Sequence, residues 1–564
     1  MRKRDFEGSI LDVSVILLTR QFVFAVGQYS PVTHPIWSFI LSTQEIHSSD
    51  IPQQSVSSAR NDTIAGILRR AVSRHPTKLA LEFDGRNWTF SELEESVHRV
   101  AKRLVDAGLH QGSRVVSFAG NSDAYVMLFF ACAQAGLVHV PLNYSLKGDE
   151  LGYILNDAEA SLVVADPEML AVLEDVPGWG GSEGSQRVWP MLPTTSQAAR
   201  SVLETALETS TECVNIDVDG SDLMQLQYTS GTTSAPKGAM MSHTALTTQY
   251  ASAIIALDFE STDRVLMAMP LYHSGGMHSF MIAHLAVGAT VHLLKKPDIP
   301  TLLRRIEQEH INSLFLAPTV WVRLSSHEKL GNWDLSSLRK AQYGGSIMPV
   351  TVLNRLRSKF PNIGFYNVFG LSEMGPLSAV LQPEDHADRP GSIGRPVFFV
   401  ETRVMTHQDK LAAPGEPGEM QFRSPQLMLG YWKKPEETAE AFVDGWFRTG
   451  DQVVQDADGF LEVVDRIKDV INTGGVLVAP REIEDVIFEL DEVADAAVVG
   501  VPDEEWIEAI RAFVILKADA SLTDDALRSH VRKRLAPHKV PKSVLFVEDL
   551  PRNPSGKLLK RQLR

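Results

Sequence analysis

Between residues 63 and 342, short apolar runs bounded by turn residues alternate with stretches of helical periodicity, and this alternation leaves few architectures open. The runs fall at 114–118, 138–140, 161–165, 265–267, 290–294, 313–317 and 338–342. Nearly continuous apolar strands with helices between them suit a sheet buried on both faces and crossed by helical connections. The expected fold class is α/β, with a large N-terminal domain built on parallel-rich sheets. Thr63 stands where it can cap a helix whose apolar positions include Ile64, Ile67 and Leu68. Short strands are expected at 79–83 and 88–90 around the Asp84-Gly85 turn, and Ser91 with Glu94 reads as a capping box opening a helix through Leu104. Helices are also expected at 124–135 and 151–156, and the glycine-rich stretch 179–185 reads as a surface loop. After Glu401 the turn-rich Pro414-Gly415-Glu416-Pro417-Gly418 and a strand at 419–422 indicate a small β unit attached to the large core. From Asp465, strands near 497–499 and 512–516 alternate with helices at 480–490 and 524–535, a small α+β tail with its own apolar pattern. The expected divisions are 1–60, an extension; 61–464, the large domain; and 465–564, the small C-terminal domain.

A chain of 564 residues exceeds what one hydrophobic core usually organises, so two or more domains are expected. Asp and Glu number 70 against 54 Lys and Arg, a formal charge of -16, which disfavours a broad nucleic-acid interface. It does not disfavour a small anion, which a few N–H groups and one lysine can hold. Cys132 and Cys213 are too few for a disulfide framework or a multi-cysteine metal site and fit a reducing, cytoplasmic setting; Cys132, between Ala131 and Ala133, reads as packed. In the first sixty residues, Asp12, Arg20 and Gln21 interrupt the apolar stretches, so no transmembrane span is expected, although peripheral membrane contact stays open. Whether this extension is a targeting segment, a peripheral helix or a mobile arm also stays open.

The stretch Tyr228-Thr229-Ser230-Gly231-Thr232-Thr233-Ser234-Ala235-Pro236-Lys237-Gly238 follows an apolar strand candidate. Glycines let backbone approach an anion, hydroxyls donate hydrogen bonds, and Lys237 sets a positive charge against phosphate. A Walker A loop does not fit: Pro236 stands where its last glycine belongs, and Gly238 where Ser or Thr would hold magnesium. On composition alone the stretch also suits a polar surface loop.

Five later motifs follow in order: Tyr343-Gly344-Gly345-Ser346, Phe369-Gly370-Leu371-Ser372-Glu373, Trp446-Phe447-Arg448-Thr449-Gly450-Asp451, Asp465-Arg466-Ile467-Lys468-Asp469 and Pro551-Arg552-Asn553-Pro554-Ser555-Gly556-Lys557. With the loop at 228–238 they make the chain from Thr63 to Arg564 resemble the adenylate-forming superfamily, and within it the acyl-CoA synthetases. The resemblance implies that Thr229, Ser230, Gly231, Thr232 and Thr233 contact ATP phosphates. It implies that Gly344, Gly345, Ser346 and Phe369 line the adenine side, that Ser372 sits near phosphate, and that Glu373 holds Mg2+. The family usually has Tyr and Thr where Phe369 and Ser372 stand here; phenylalanine keeps the apolar face and loses a hydroxyl, whereas serine keeps the donor. Asp451 would accept from the ribose hydroxyls, and Arg466 would hold the ribose or phosphate side. Lys557 would serve adenylation, Lys468 would be the hinge of a mobile C-terminal domain, and Gly474-Gly475 would face the thiol channel after rotation.

A carboxylate is a poor partner for a thiol until AMP is attached as leaving group, so the resemblance implies an ATP-dependent acid–CoA ligase with ATP, Mg2+ and coenzyme A. Coenzyme A is the expected acceptor because no carrier-protein domain follows Leu558-Leu559-Lys560 in this sequence; loading of a separate carrier protein is the alternative. His273, in Leu271-Tyr272-His273-Ser274-Gly275-Gly276, resembles a residue beside the acyl pocket or its gate, and Ser274 stands near the family's amino-group-binding aspartate, so amino acids are disfavoured. A medium- or long-chain fatty acid is expected, with an aryl acid as the alternative. His273, His278 and His284 do not match a zinc pattern, and 370–375 is not a nucleophile elbow. The remaining different-class reading is an inactive nucleotide-binding scaffold that keeps the fold.

Overall fold

The computed structural model describes residues 61–564 apart from 181–186, 195–198, 210–211, 230–234, 347, 467–468, 474–475, 504–505 and 553–557. The expectations for 1–60 lie outside the described residues, and Asn61–Arg564 forms one compact unit.

Two large sheets carry the residues from Leu79 to Pro396. A nine-stranded sheet runs, in spatial order, Arg395–Pro396, Leu377–Leu381, Gly364–Gly370, Lys340–Gly344, Ser313–Leu316, Arg264–Met267, Thr290–Leu293, Leu79–Phe83 and Arg86–Thr89. The six strands from Gly364–Gly370 to Leu79–Phe83 pair in parallel, and antiparallel strands close both edges. A six-stranded sheet runs Val188–Pro190, Ala160–Ala165, Arg114–Phe118, Val138–Pro141, Leu223–Thr229 and Lys237–Ser242. It is parallel except for its last pair, which is a hairpin. Every residue of Val138–Pro141, Thr290–Leu293 and Ser313–Leu316 is buried, as strands covered on both faces require.

The helix Asp123–Gln134 is apolar nearly all round because it touches strands of both sheets, and all of its residues from Asp123 to Ala133 are buried. Its one charged side chain is paired: Asp123 accepts from Arg86 Nε at 2.7 Å, Arg86 Nη2 at 2.9 Å and Trp88 Nε1 at 2.9 Å. Cys132 lies within it, fully buried.

Thr63 caps the helix Ile64–Arg74, its hydroxyl accepting from Gly66 N. The next cap differs from the expectation. Strand pairing stops at Thr89, and fully buried Phe90 is the first residue of the helix Phe90–Asp106. The capping box is therefore Thr89 with Glu92, closed by Glu92 N to Thr89 Oγ1 at 3.2 Å and Thr89 N to Glu92 Oε2 at 2.8 Å. The expected Ser91–Glu94 box lies two residues too late, because burial of Phe90, not polar spacing, sets where the helix begins. Trp179, read as part of a surface loop, is only 5 % exposed and lies under the Arg187 guanidinium.

Beyond 400, Glu401–Met405, Pro417–Arg423, Trp446–Gln455, Phe442–Val443 and Leu461–Arg466 form a five-stranded antiparallel sheet. Leu461–Arg466 runs through position 464 before the chain enters the C-terminal elements. There Val476–Val478, Ile471–Thr473, Ile507–Leu516, Val493–Asp503 and Ser543–Phe546 make a further sheet, packed with the helices Pro480–Ile487 and Asp524–Arg534 around an apolar cluster of their own. Among the described residues, no helix is long and apolar enough to cross a membrane.

Candidate functional site

The hairpin that ends the six-stranded sheet brings Thr229 and Lys237 into register as partners. Between them in sequence, Ser230, Gly231, Thr232 and Thr233 lie outside the described residues, as do Lys468, Gly474, Gly475 and Lys557.

Lys237 begins a strand whose other edge is taken up by the segment 429–432: Trp432 N donates to Gly238 O, Met240 N to Gly430 O and Leu429 N to Met240 O. This pairing places the Tyr431 ring under Lys237, with Nζ 5.1 Å from the ring centroid. The Tyr431 hydroxyl donates to Glu373 Oε1 at 3.0 Å, and Met428 N donates to the Glu373 carbonyl at 2.8 Å. Burial, and next to it the Glu373 charge, push the Tyr431 hydroxyl well above the ordinary phenol range, so it stays a donor. Sequence reasoning missed Tyr431; its signal was Gly430-Tyr431-Trp432 before Pro435, with Gly430 at φ 140° where only glycine is at ease.

Glu373 sits in the short helical turn Ser372–Met374, directly after the strand Gly364–Gly370. The Ser372 and Ser274 hydroxyls are 3.2 Å apart, which ties this turn to the loop carrying His273. His273 Nδ1 accepts from Gly275 N at 3.2 Å, and a π-helix, Gly275–Met281, starts immediately beyond. Such widened turns often occur at functional positions. The three histidines of this region do not converge. His278 is bonded to Tyr250 and Gln225, each at 2.8 Å, and His284 Nδ1 lies 2.7 Å from Phe280 O.

Lys340–Gly344 runs parallel to Gly364–Gly370, with Gly344 opposite Val368. A Cβ on Gly344 would lie 2.1 Å from the Val368 carbonyl, so only glycine permits this approach, and Gly345 follows at φ 74°. Ser346 and Phe369 are both half-buried at these strand ends. Ligands of open parallel sheets bind at such carboxyl ends.

Asp451 and Arg466 form a second set. They face each other across Trp446–Gln455 and Leu461–Arg466, with Arg466 Nε 3.2 Å from Asp451 Oδ1. The Asp451 side chain is 5 % exposed and that of Arg466 33 %. Arg466 is thus a strand residue. The structure joins Lys237, Tyr431, Glu373, Ser372 and Ser274 through successive contacts and joins Asp451 to Arg466.

A carboxylate beside a half-buried phenol and a lysine over the same ring, next to the hydroxyl-rich sequence 229–234, are suited to a phosphate chain with a divalent cation. Mg2+ commonly takes one or two carboxylates and completes its shell with water and substrate phosphates, and one carboxylate is what this site offers. Among the described residues no group of three or more His, Cys, Asp or Glu could hold a metal by itself.

The family model described as "AMP-binding enzyme" matches residues 68–432, and "AMP-binding enzyme C-terminal domain" matches 482–557. The chain is similar to a feruloyl-CoA synthase of Amycolatopsis sp, 36% identical over 499 residues, covering 88% of this chain and 97% of the relative. It is also similar to a long-chain-fatty-acid–CoA ligase of Bacillus subtilis, 32% identical over 551 residues, covering 92% and 96%. Among solved structures, the ATP-bound MatB of Rhodopseudomonas palustris superimposes with a TM-score of 0.80 at 29% identity, covering 89% of this chain and 98% of that one.

Proposed function

Because the chain belongs to the AMP-binding enzyme family and is an AMP-forming acid–CoA ligase, we propose that it joins an apolar carboxylic acid, foremost an aryl acid, to coenzyme A. The observation that carries this reading is the set Lys237–Tyr431–Glu373–Ser372 assembled at the end of the strand Lys237–Ser242. In the first half-reaction a carboxylate oxygen of the acid attacks the α-phosphorus of ATP and pyrophosphate leaves. In the second, the thiol sulfur of coenzyme A attacks the activated carbonyl, its proton is lost, and AMP leaves.

Lys237 and the hydroxyls from Thr229 to Thr233 hold the phosphates in this reading, and preorganised donors of this kind favour charge moving onto the leaving group. Glu373, held by Tyr431, is the ligand for Mg2+, which when bound offsets phosphate charge. Gly344, Gly345, Ser346 and Phe369 take the adenine, and Asp451 with Arg466 the ribose. Lys557 serves adenylation, and a turn at Lys468 exchanges it for Gly474-Gly475; these roles rest on their motifs.

Ser274, bonded to the Ser372 hydroxyl, offers no carboxylate to an ammonium, which supports an acid without an α-amino group. The buried Met277, Phe280 and Met281 beyond His273 support an apolar acyl group. The 36% identity to a feruloyl-CoA synthase, against 32% to a long-chain ligase, favours the aryl acid, and a fatty acid is the second reading. Acid-dependent pyrophosphate exchange across hydroxycinnamic, benzoic, medium- and long-chain fatty and amino acids tests the proposal. Hydroxycinnamic acids should lead. Exchange with amino acids alone, or no exchange with any acid, sinks it, and transfer to a carrier protein but not to coenzyme A would replace the acceptor.

A further inference from the structure

A crevice of about 100 Å³ opens at the carboxyl ends of Arg264–Met267, Thr290–Leu293 and Ser313–Leu316, apart from the hydrogen-bonded set at Glu373. Three cations line it, Lys295 and Lys296 from the loop after one strand and Arg323 from the helix Pro318–Ser325. In a chain of net charge -16 this convergence of exposed positive groups is against the average. Among the described residues Lys296 and Arg323 make no ion pair within 4 Å. Lys296 feels Asp298 and Lys295 feels Asp166 only at longer range, and Lys295 approaches Glu168 at 3.5 Å with both side chains 63% exposed, a pairing of little worth in water, so the three cations stay open to an anionic ligand.

The wall of the crevice connects it to the chemistry. Met269 and Pro270 line it, and four residues further along the same loop Ser274 reaches Ser372. Tyr144, also in the lining, packs edge-on against Tyr272, next to His273, with ring centroids 5.3 Å apart. One continuous loop therefore runs from a cationic crevice to the place where the acyl group is to be activated. Coenzyme A has the matching polarity: phosphates at the nucleotide end, a long neutral arm, and the thiol at the far tip.

Resting on the ligase reading, we infer that Lys295, Lys296 and Arg323 hold the phosphates of coenzyme A while its arm follows the 269–274 loop toward the activated acyl group. Arg and Lys bind phosphate through charge-assisted hydrogen bonds, and a cationic patch also steers a polyanion toward an otherwise acidic surface.

The test is steady-state kinetics of the full chain and of the double variant Lys296→Ala/Arg323→Ala. Losing two charge-assisted contacts should raise KM for coenzyme A by at least about tenfold. Pyrophosphate exchange, and turnover with pantetheine in place of coenzyme A, should be unchanged. The charge-keeping pair Lys296→Arg/Arg323→Lys should stay near wild type, which separates charge from packing. An unaltered KM for coenzyme A, or an equal loss with pantetheine, overturns the inference; a loss of pyrophosphate exchange would give the crevice to ATP or the acid instead. If the wild-type chain passes no acyl group to coenzyme A, the ligase reading itself has failed. Titration of coenzyme A and 3′-dephospho-coenzyme A into both proteins then decides the crevice alone, and equal affinities for wild type and double variant overturn it.

Discussion

Glu373 would be an ordinary half-buried carboxylate at the end of a strand were Tyr431 not beneath it. One hydroxyl, kept protonated by burial and by the Glu373 charge, fixes one oxygen of Glu373. On the proposed function Tyr431 positions Glu373, and Tyr431→Phe keeps its ring under Lys237 while removing the donor. A net hydrogen bond is worth about 1 kcal/mol, so kcat/KM for ATP should fall about fivefold. The Mg2+ concentration giving half-maximal pyrophosphate exchange should rise, which a purely structural role would not produce. Glu373→Gln should cost far more, at least about 100-fold in the same exchange, because on the proposed function a charged ligand would be lost rather than reoriented. Asp451→Asn leaves the side chain's shape but removes the charge facing Arg466, and KM for ATP should rise by about 10- to 100-fold, as expected for hydrogen bonds to an ionised group. Tyr431 was not legible in the sequence because its role depends on a strand pairing between 238–240 and 429–432, almost two hundred residues apart.

The elements around the site follow largely from local patterns, and their departures have local causes. Buried strands announced themselves as apolar runs, and Thr63 as a cap, because both signals lie within a few residues of each other. The Thr89 cap did not, since its position depends on where Phe90 meets the core. The same corner shows what a tertiary contact adds. Asp123 opens an otherwise apolar buried helix and is satisfied only by Arg86 and Trp88 from the preceding hairpin. Asp123→Ala would leave the Arg86 charge and the Trp88 N–H without their acceptor, and a loss of about 3 kcal/mol is expected, measured as a lower urea midpoint with an unchanged slope. Gly344→Ala should damage folding and, on the proposed function, ATP binding with it, since the added methyl would meet the Val368 carbonyl across two paired strands.

Across the whole molecule, a buried polar chain threads the six-stranded sheet to the helices behind His273. Ser117 Oγ lies 2.8 Å from His139 Nε2, His139 Nδ1 is 3.1 Å from Gln225 Nε2, Gln225 Oε1 is 2.8 Å from His278 Nε2, and His278 Nδ1 is 2.8 Å from the Tyr250 hydroxyl. Gln225 Nε2 donates to His139 Nδ1 and the Tyr250 hydroxyl donates to His278 Nδ1, so each ring keeps one acceptor nitrogen and is neutral, and burial holds each at a pKa of about 3. Unfolded histidines titrate near 6.5, so below that value the unfolded chain binds protons that the folded chain refuses. Their stabilisation is complete above about pH 6.5 and declines as pH falls toward 3, by about 1.4 kcal/mol per pH unit for each ring. The urea midpoint should therefore drop between pH 7 and pH 5, and His278→Gln should flatten that slope; an unchanged slope would remove the chain from the acid response. Sequence by itself determined the α/β class, the order of the motifs and the family, because periodicity and motif spacing are properties of neighbouring residues. Only the tertiary structure decided that Tyr431 serves Glu373, that Arg466 is a strand partner of Asp451, and that Lys295, Lys296 and Arg323 share one crevice. Those are contacts between distant segments, and their energies depend on distance and burial in three dimensions, which local order along the chain does not specify.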